Sequence, residues 1–253
     1  MSTTLAEPTV SPAGPAPRPP IRRPDLPAPV RRFRELALRD GPASFETVVF
    51  VTGATMRRPA LPPIPLRIRM AHRLGHDFVH DIRIGVRRAS FRFGLDAFVG
   101  GRGVMRIGPM IDAGPEFDEG ALIAMWGEAM IFPCSWERLD GLRWEPVDDS
   151  NAVLVIPHAG AEVRITIGFG ATGLPASFQA DRHKGHGPKV GWTGTYGDWR
   201  RYPSGVLAPG TFTVKWDDEP APWLEIRIEG IEFDVPVDEE MRLGRSVVRS
   251  ARR

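Results

Sequence analysis

The 253-residue sequence contains one cysteine, Cys134, three lysines and two tyrosines. A single cysteine excludes an internal disulfide and any metal site built from several thiolates. Cys134 follows a proline at the end of an apolar run, which is typical of a small buried thiol. Basic and acidic residues nearly balance, at 33 and 31, so the composition gives no electrostatic reason to expect a nucleic-acid partner.

The sequence also lacks any apolar run close to the roughly 18 residues that span a bilayer, so no transmembrane segment is predicted. Its N-terminus has no apolar core of a secretory signal, and we expect a cytoplasmic protein. Residues 1–25 are rich in proline and alanine and predict a disordered tail, because they offer too little apolar surface to fold. We expect one domain over 26–238, followed by a basic C-terminal tail over 239–253 that either frays or forms a short helix.

The middle of the chain shows mainly strand patterns. Apolar side chains alternate with polar ones at the period of two that half-buried strands show, as in Leu66, Ile68 and Met70. A first helix is predicted over 27–38, and a longer one from about Pro115 to Phe132, ended by the following proline. We therefore predict a mainly β fold, a strongly curved antiparallel sheet of about eight to eleven strands with one long helix laid across it.

The last predicted strand changes phase. Leu224, Ile226 and Ile228 alternate in one phase, whereas Ile231 and Phe233 alternate in the other. A slip of one residue exchanges the faces of a strand, so an extra residue must be absorbed at this point. The pattern predicts a β-bulge between Ile228 and Ile231, which would help the sheet to curl.

Five stretches carry a resemblance to a known family. They are LPAPVRRFRELAL at 26–38, LDAFVGGRGVMRIGP at 95–109, ALIAMWGEAMIFP at 121–133, LRWEPVDD at 142–149 and DWRRYPSGVLAPGTFTVKW at 198–216. The stretches and their spacing resemble a large bacterial family of unknown function related to lipoprotein-carrier (LolA-like) half-barrels. This resemblance implies an incomplete β-barrel wrapped around a helix, with an apolar concavity. The resemblance implies no particular reaction, because the family has no established chemistry. Carrier relatives are usually exported, whereas the N-terminus of this sequence leads us to expect a cytoplasmic protein.

The stretch from Gly168 to Gly173 fits the GxGxxG pattern of dinucleotide-binding loops. Such a loop needs a helix after its glycines, so that the helix N-terminus meets the pyrophosphate. Here Pro175 and a second period-two run, including Phe178, follow instead. The sequence therefore predicts a hairpin turn, and we expect no cofactor.

Three histidines, His72, His76 and His80, recur at every fourth position. On a helix this spacing would align three metal ligands, but on one continuous strand the outer two would lie about 26 Å apart. A hairpin could bring His72 and His80 opposite one another, with His183 or His186 joining them. His80 is otherwise explained as a hydrogen-bonded core residue, and no metal site is predicted.

Glu128 is the main candidate site residue. It lies within an apolar run, and the four residues one helical turn away from it are also apolar: Ala124, Met125, Ile131 and Phe132. The carboxylate should therefore project from the helix face that covers the sheet. An isolated charge there would cost several kcal/mol, so Glu128 must be paired, hydrogen-bonded or protonated.

Two interpretations of Glu128 stay open. It could form a structural ion pair, most readily with Arg182, or it could face a ligand cavity as acid, base or anchor, with His80 nearby. In the first functional hypothesis, the protein binds a lipophilic small molecule whose polar end is fixed by Glu128 and Arg182. In the second, it is an enzyme that uses Glu128 and His80 as acid and base in an isomerisation, cyclisation or hydrolysis. No motif of a familiar enzyme class supports the second, so binding is preferred.

Aromatic residues offer walls for such a cavity. Trp126, Trp192, Tyr196 and Trp199 are the candidates, since binding pockets favour aromatic walls with few polar groups. Most aromatic side chains in a sheet belong to the core, so the sequence leaves both roles open for each residue. We include Trp126, Trp192 and Tyr196 among the predicted ligand-binding residues.

Overall fold

The computed structural model describes residues 26–40, 44–58, 61–86 and 89–252, so the predicted disordered tail lies outside the described residues. Three α-helices occur in these ranges: α1 (Ala28–Leu38), α2 (Pro115–Ala129) and α3 (Asp238–Ala251). The first two match the predicted helices closely, although α2 ends three residues earlier than expected. None of the described helices has the length and apolar character needed to cross a membrane.

Fifteen strands account for most of the remaining described residues. They are β1 (Thr47–Met56), β2 (Ile64–Arg73), β3 (Asp77–Val86), β4 (Ala89–Val99), β5 (Arg102–Ile107), β6 (Met110–Asp112), β7 (Arg143–Pro146), β8 (Asn151–His158), β9 (Ala161–Phe169), β10 (Pro175–His183), β11 (Lys189–Gly197), β12 (Arg200–Arg201), β13 (Leu207–Ala208), β14 (Thr211–Trp216) and β15 (Leu224–Phe233).

Thirteen of these strands form one antiparallel sheet, in the order β6-β5-β4-β3-β2-β1-β15-β14-β11-β10-β9-β8-β7. Strands β12 and β13 form a separate two-stranded ribbon. The two edges, β6 and β7, do not pair with one another, so the curved sheet remains open. The predicted fold class is confirmed.

The sheet has more strands than the eight to eleven predicted. Its edge strands β6 and β7 contain only three and four residues. Segments this short cannot show a clear alternation of apolar and polar residues, because alternation needs about four to eight positions to be recognised.

A β-bulge interrupts the pairing of β1 with β15. Val51 lies opposite Gly230 and Thr52 lies opposite Ile228, so Glu229 is the extra residue. Apolar residues of β15 on both sides of the bulge consequently pack against the same core. The predicted bulge is confirmed, at the place where the hydrophobic phase changes.

Helix α2 lies on the concave face of the sheet. From residue 121 to residue 129 every position of the helix is buried except Glu128, which is partly exposed. Asp118 fixes the start of the helix to β5, since its carboxylate accepts a hydrogen bond from the backbone N–H of Gly103 at 2.6 Å and lies 3.2 Å from the Arg102 guanidinium. The helix therefore has a fixed register along the sheet.

Helix α3 covers the opposite, convex face of the sheet at β3, β4 and β5. Met241, Val247 and Val248 are buried there and belong to a second apolar cluster with Val79 and Val99. For the C-terminal segment, the structure thus shows a packed helix. This part of the sheet is covered on both faces, whereas the main core lies on the concave side.

Candidate functional site

The hairpin of β2 and β3 brings two histidines together. Met70 lies opposite His80, and His72 lies opposite Phe78. Because residues two apart on a strand share a face, His72 and His80 project to the same side from neighbouring strands. Their ring centroids are 5.9 Å apart. The tight turn between the strands therefore removes the long separation that one extended strand would impose.

Glu128 projects from α2 towards these two rings. Its Oε2 atom is 3.0 Å from Nε2 of His80 in a hydrogen bond, and 2.8 Å from Nε2 of His72. The contact with His72 is short but not aligned as a regular hydrogen bond, although it still helps to lower the pKa of the carboxyl group. The Glu128 side chain is 15% exposed. The prediction that Glu128 is largely buried and has Arg182 or His80 as its partner is confirmed, with His80 as the partner.

The charges of the three groups follow from burial and proximity. Burial alone would raise the pKa of Glu128, but the charges of the histidines and their contacts outweigh it and lower this pKa to about 2. Burial opposes the charged form of His80, yet the Glu128 carboxylate outweighs it and raises the His80 pKa. In His72 burial prevails, so its pKa is lowered. The carboxylate therefore favours the charged form of His80, whereas burial favours the neutral form of His72.

A second carboxylate, Asp96, lies opposite His80 across the β3–β4 pairing. Burial raises the pKa of Asp96, against the effect of the positive charges of His80 and Arg182. In the sequence, Phe91, Phe93 and Leu95 alternate with Arg92, Gly94 and Asp96, a pattern that would place Asp96 on the outward face. A register shift leaves Phe93 as an extra residue and reverses the phase of the strand, so that Leu95 packs on the convex side.

Arg182 does not form the ion pair with Glu128 that the sequence favoured. Its guanidinium lies over the ring of Trp192, with Cζ 4.7 Å from the ring centroid, and packs against Gly120, two helical turns before Glu128. Burial lowers the pKa of Arg182, against the electrostatic attraction of Asp96 and Glu128. Among the described residues, none accepts a hydrogen bond from this guanidinium or lies within ion-pair distance of it.

These charged groups line an enclosed cavity of about 130 Å³ beneath α2. Its polar lining comes from Glu128, His80, Asp96, Arg182 and Arg58. The remaining wall is mostly aliphatic and aromatic and includes Ile68, Met70, Ile82, Phe178, Trp192 and Phe212. The cavity is therefore an apolar chamber with a small set of titratable groups in its wall.

A wider and more polar space of about 430 Å³, which we call the vestibule, adjoins this cavity. Arg58, Met105, Arg182 and Trp223 line both spaces and so mark the boundary between them. The vestibule is also lined by the start of α2 and by the turn between β10 and β11. Arg182 therefore stands between the apolar chamber and the polar space outside it.

The predicted aromatic residues have different positions. Trp192 lines the cavity, whereas Trp126 is fully buried and Tyr196 lies outside the lining. The Tyr196 hydroxyl donates a hydrogen bond to the carbonyl of Gly127 at 2.5 Å. Trp199 donates from its indole to a backbone carbonyl beside the β9–β10 turn. Tyr196 thus positions the helix that carries the carboxylate, since it satisfies a carbonyl in the last turn of α2.

Replacing Tyr196 by phenylalanine should lower the free energy of unfolding by about 0.5–1.5 kcal/mol, because a buried carbonyl loses its donor. Urea denaturation measures this change. Tyr202→Phe is the matched control, since the Tyr202 hydroxyl is only part-buried and its hydrogen bond to a carbonyl is longer, at 3.2 Å. Equal losses in the two variants would contradict the role given to Tyr196.

The other sequence motifs lie away from the cavity. Gly168 to Gly173 connect β9 and β10 without a following helix, so the predicted hairpin turn is confirmed. His183 and His186 line the vestibule and do not join the two histidines beside Glu128. Cys134 is a free, partly buried thiol.

Comparison with known proteins identifies one family. The sequence model of a group described as a family of unknown function, DUF6544, matches residues 21–226. This match covers most of the chain. No curated protein gives a match.

Two solved structures are similar in fold. A LolA superfamily protein from Nitrosomonas europaea is 9% identical, with a TM-score of 0.48 over 83% of this chain and 94% of that one. A domain described as an outer membrane lipoprotein-sorting protein, from Vibrio parahaemolyticus, is 10% identical, with a TM-score of 0.48 over 85% of this chain and 96% of that one. Identities this low carry no information about ligands.

Proposed function

Because the chain belongs to the DUF6544 family, whose function is unknown, its site has to indicate its function, and we propose that it binds a lipophilic small molecule with an anionic end group. The observation that carries this proposal is Arg182, which has no ion-pair partner among the described residues and lies at the boundary between an apolar cavity and the vestibule. The apolar body of the ligand would occupy the chamber beneath α2, and its charged end would meet Arg182.

The walls of the chamber support an apolar ligand body. Ligand sites are typically concave and mostly apolar, with a few polar groups that fix orientation. Here aliphatic and aromatic side chains form most of the lining. The chamber alone is smaller than a typical ligand pocket, but together with the vestibule it falls within the usual range of about 300–1,000 Å³. A ligand would therefore extend from the chamber past Arg182 into the vestibule.

Unused hydrogen-bond donors support an anionic end group. Among the described residues, the buried indole nitrogens of Trp192 and Trp223 have no hydrogen-bond acceptor, and the Arg182 guanidinium stacks on Trp192 without an ion-pair partner. All three side chains line the cavity. A guanidinium matches the geometry of a carboxylate or phosphate, and buried donors without acceptors are costly. A bound anion would supply acceptors to the whole group.

The geometry favours binding over acid–base catalysis. An efficient general base has a pKa close to the working pH. The pKa of Glu128 is lowered to about 2, so its carboxylate is a weak base. The alternative enzyme hypothesis, with Glu128 and His80 as the catalytic pair, gains no support from this arrangement.

The proposal predicts a specific effect of Arg182→Met on affinity. Wild-type protein should bind dodecanoate more tightly than dodecanol in isothermal titration calorimetry. Arg182→Met should weaken dodecanoate binding about 10- to 100-fold, because a hydrogen bond to a charged group contributes roughly 1.5–3 kcal/mol. Its affinity for dodecanol should change little, since the apolar walls remain.

Arg245→Met is the matched control, because Arg245 is exposed on α3 and far from the cavity lining. It should bind both compounds as the wild type does. Equal affinity of the wild type for dodecanoate and dodecanol, or undiminished dodecanoate binding by Arg182→Met, would contradict the proposal. Solvent extraction of the purified protein followed by mass spectrometry would identify a natural ligand retained during purification.

A further inference from the structure

Three side chains beside the cavity have the arrangement of a metal site, and two of them, His80 and Glu128, line it. The ligand atoms of His72, His80 and Glu128 all lie within 4.8 Å of one another. We infer that these three residues bind one divalent transition-metal ion, for which Zn²⁺ is the best match. The sequence predicted no metal there because two histidines eight positions apart cannot share an ion on one extended strand; the β2–β3 hairpin removes that obstacle.

The distances suit a small ion. Zinc lies about 2.0–2.2 Å from histidine nitrogen and carboxylate oxygen, so two of its ligands can lie no more than about 4 Å apart. The Oε2 atom of Glu128 is 2.8 Å and 3.0 Å from the two Nε2 atoms. The ligand atoms of the two histidines lie within 4.8 Å of one another, so side-chain adjustments that bring them closer together would place all three ligand atoms around one ion.

The state of His72 is the second, independent observation. This side chain is 1% exposed, and neither of its ring nitrogens forms a hydrogen bond with any described residue. Buried polar atoms in native proteins are almost always satisfied, and each unsatisfied one requires an explanation. The Nε2 atom of His72 lies 2.8 Å from the Glu128 carboxylate oxygen. The two atoms are nevertheless not aligned as a hydrogen bond. Two ligands of one metal ion are close together without a hydrogen bond between them, because the lone pair of each ligand points to the ion and not to the other ligand.

A structural ion pair does not account for the arrangement. Glu128 is already paired with His80 by a hydrogen bond. A second buried histidine against the same oxygen adds no hydrogen bond and leaves two buried nitrogens unsatisfied. An apolar residue at position 72 would fill the space without that cost. A metal ion would instead use the free lone pair of His72.

The ligand types select the ion. Two imidazoles and one carboxylate suit zinc and its transition-metal neighbours, whereas magnesium and calcium prefer sites built from oxygen. Three protein ligands leave a position open, as in zinc sites that bind small molecules. Glu128 and His80 both line the cavity, so the open position would face it.

Titration of metal-free protein with ZnCl₂ alone, followed by calorimetry, tests the inference. We expect one equivalent of Zn²⁺ to bind to the wild type. His72→Gln and His80→Gln should each weaken binding at least 100-fold, since loss of an outer partner of a metal ligand already costs roughly 10–100-fold. His158→Gln is the matched control, because His158 lies outside the cluster and should leave the affinity unchanged. Absence of Zn²⁺ binding by the wild type, or equal binding by all three variants, would overturn the inference.

A measurement on the wild type alone keeps the test decisive if a variant fails to fold. X-ray absorption of the Zn²⁺-loaded protein counts imidazole ligands, and two are expected. A spectrum with one imidazole or none would overturn the assignment. Both experiments omit any lipophilic compound, so their outcome is independent of the proposed binding function.

Discussion

Replacing Gly103 by alanine should lower the free energy of unfolding by about 3 kcal/mol, the upper end of the roughly 1–3 kcal/mol range for overpacking. A Cβ atom at this position of β5 would lie 2.1 Å from the carbonyl oxygen of Phe117 and 2.9 Å from the backbone nitrogen of Asp118. Both atoms belong to the backbone of α2. A side chain could rotate away from such a clash, whereas a helix backbone must move as a body.

Gly230→Ala is the matched control for this variant. Gly230 also lies in a strand, but a Cβ atom there would have no heavy atom within 4 Å. Its alanine variant should unfold at nearly the wild-type urea concentration. Equal midpoints for Gly103→Ala and wild type would show that α2 does not press on β5 as closely as the structure indicates. Because α2 forms part of the cavity wall, a displaced helix should also weaken dodecanoate binding.

Replacing Glu128 by glutamine should lower the free energy of unfolding by about 3–5 kcal/mol, the cost of breaking a buried ion pair by removing one partner. The amide retains the size of the side chain but removes the negative charge next to His80. It also leaves Arg182 with one carboxylate fewer to attract it. Urea denaturation in a buffer that contains a chelator measures the loss without any contribution from a bound ion.

Two further variants establish the origin of that loss. Glu225→Gln removes a carboxylate whose partner, Arg57, is also largely exposed, so it should cost no more than about 1 kcal/mol. A Glu128→Gln/His80→Gln double variant should lose less unfolding free energy than the sum of the losses in the two single variants. Each single variant already removes the interaction between these two residues, so the double variant cannot lose it a second time. A Glu128→Gln protein as stable as Glu225→Gln would contradict the buried ion pair.

The sequence predicted the structure best where a residue pattern was compatible with a single local geometry. The phase change in β15 requires an extra residue, and the structure places it at Glu229. The apolar surroundings of Glu128 likewise required a buried partner, and His80 is that partner. In both cases one local rule, the alternation of a strand or the cost of a buried charge, decides the outcome.

Other features depend on contacts that the local pattern does not contain. Helix α2 is buried on nearly all sides, so periodicity could not show that Trp126 faces the core and not the cavity. Asp96 was missed because the extra residue Phe93 reverses the phase of β4, and the neighbouring Gly94 is only a weak local sign of such an irregularity. Arg182 was placed on the correct face, but its position along α2 depends on stacking with Trp192.

The order of strands in the sheet has a consequence for folding. Strands β1 to β6 form one meander and most of the later strands form another, and the two meanders join where β1 pairs with β15. His72 and His80 come from the first meander, whereas Arg182 and Trp192 come from the second. Since pairing between segments distant in sequence forms slowly, this seam should close late, after β15 has been synthesised. A ribosome-bound chain that ends before β15 would therefore contain both halves of the cavity but no complete binding site. Ligand binding should be detectable only after β15 has paired with β1.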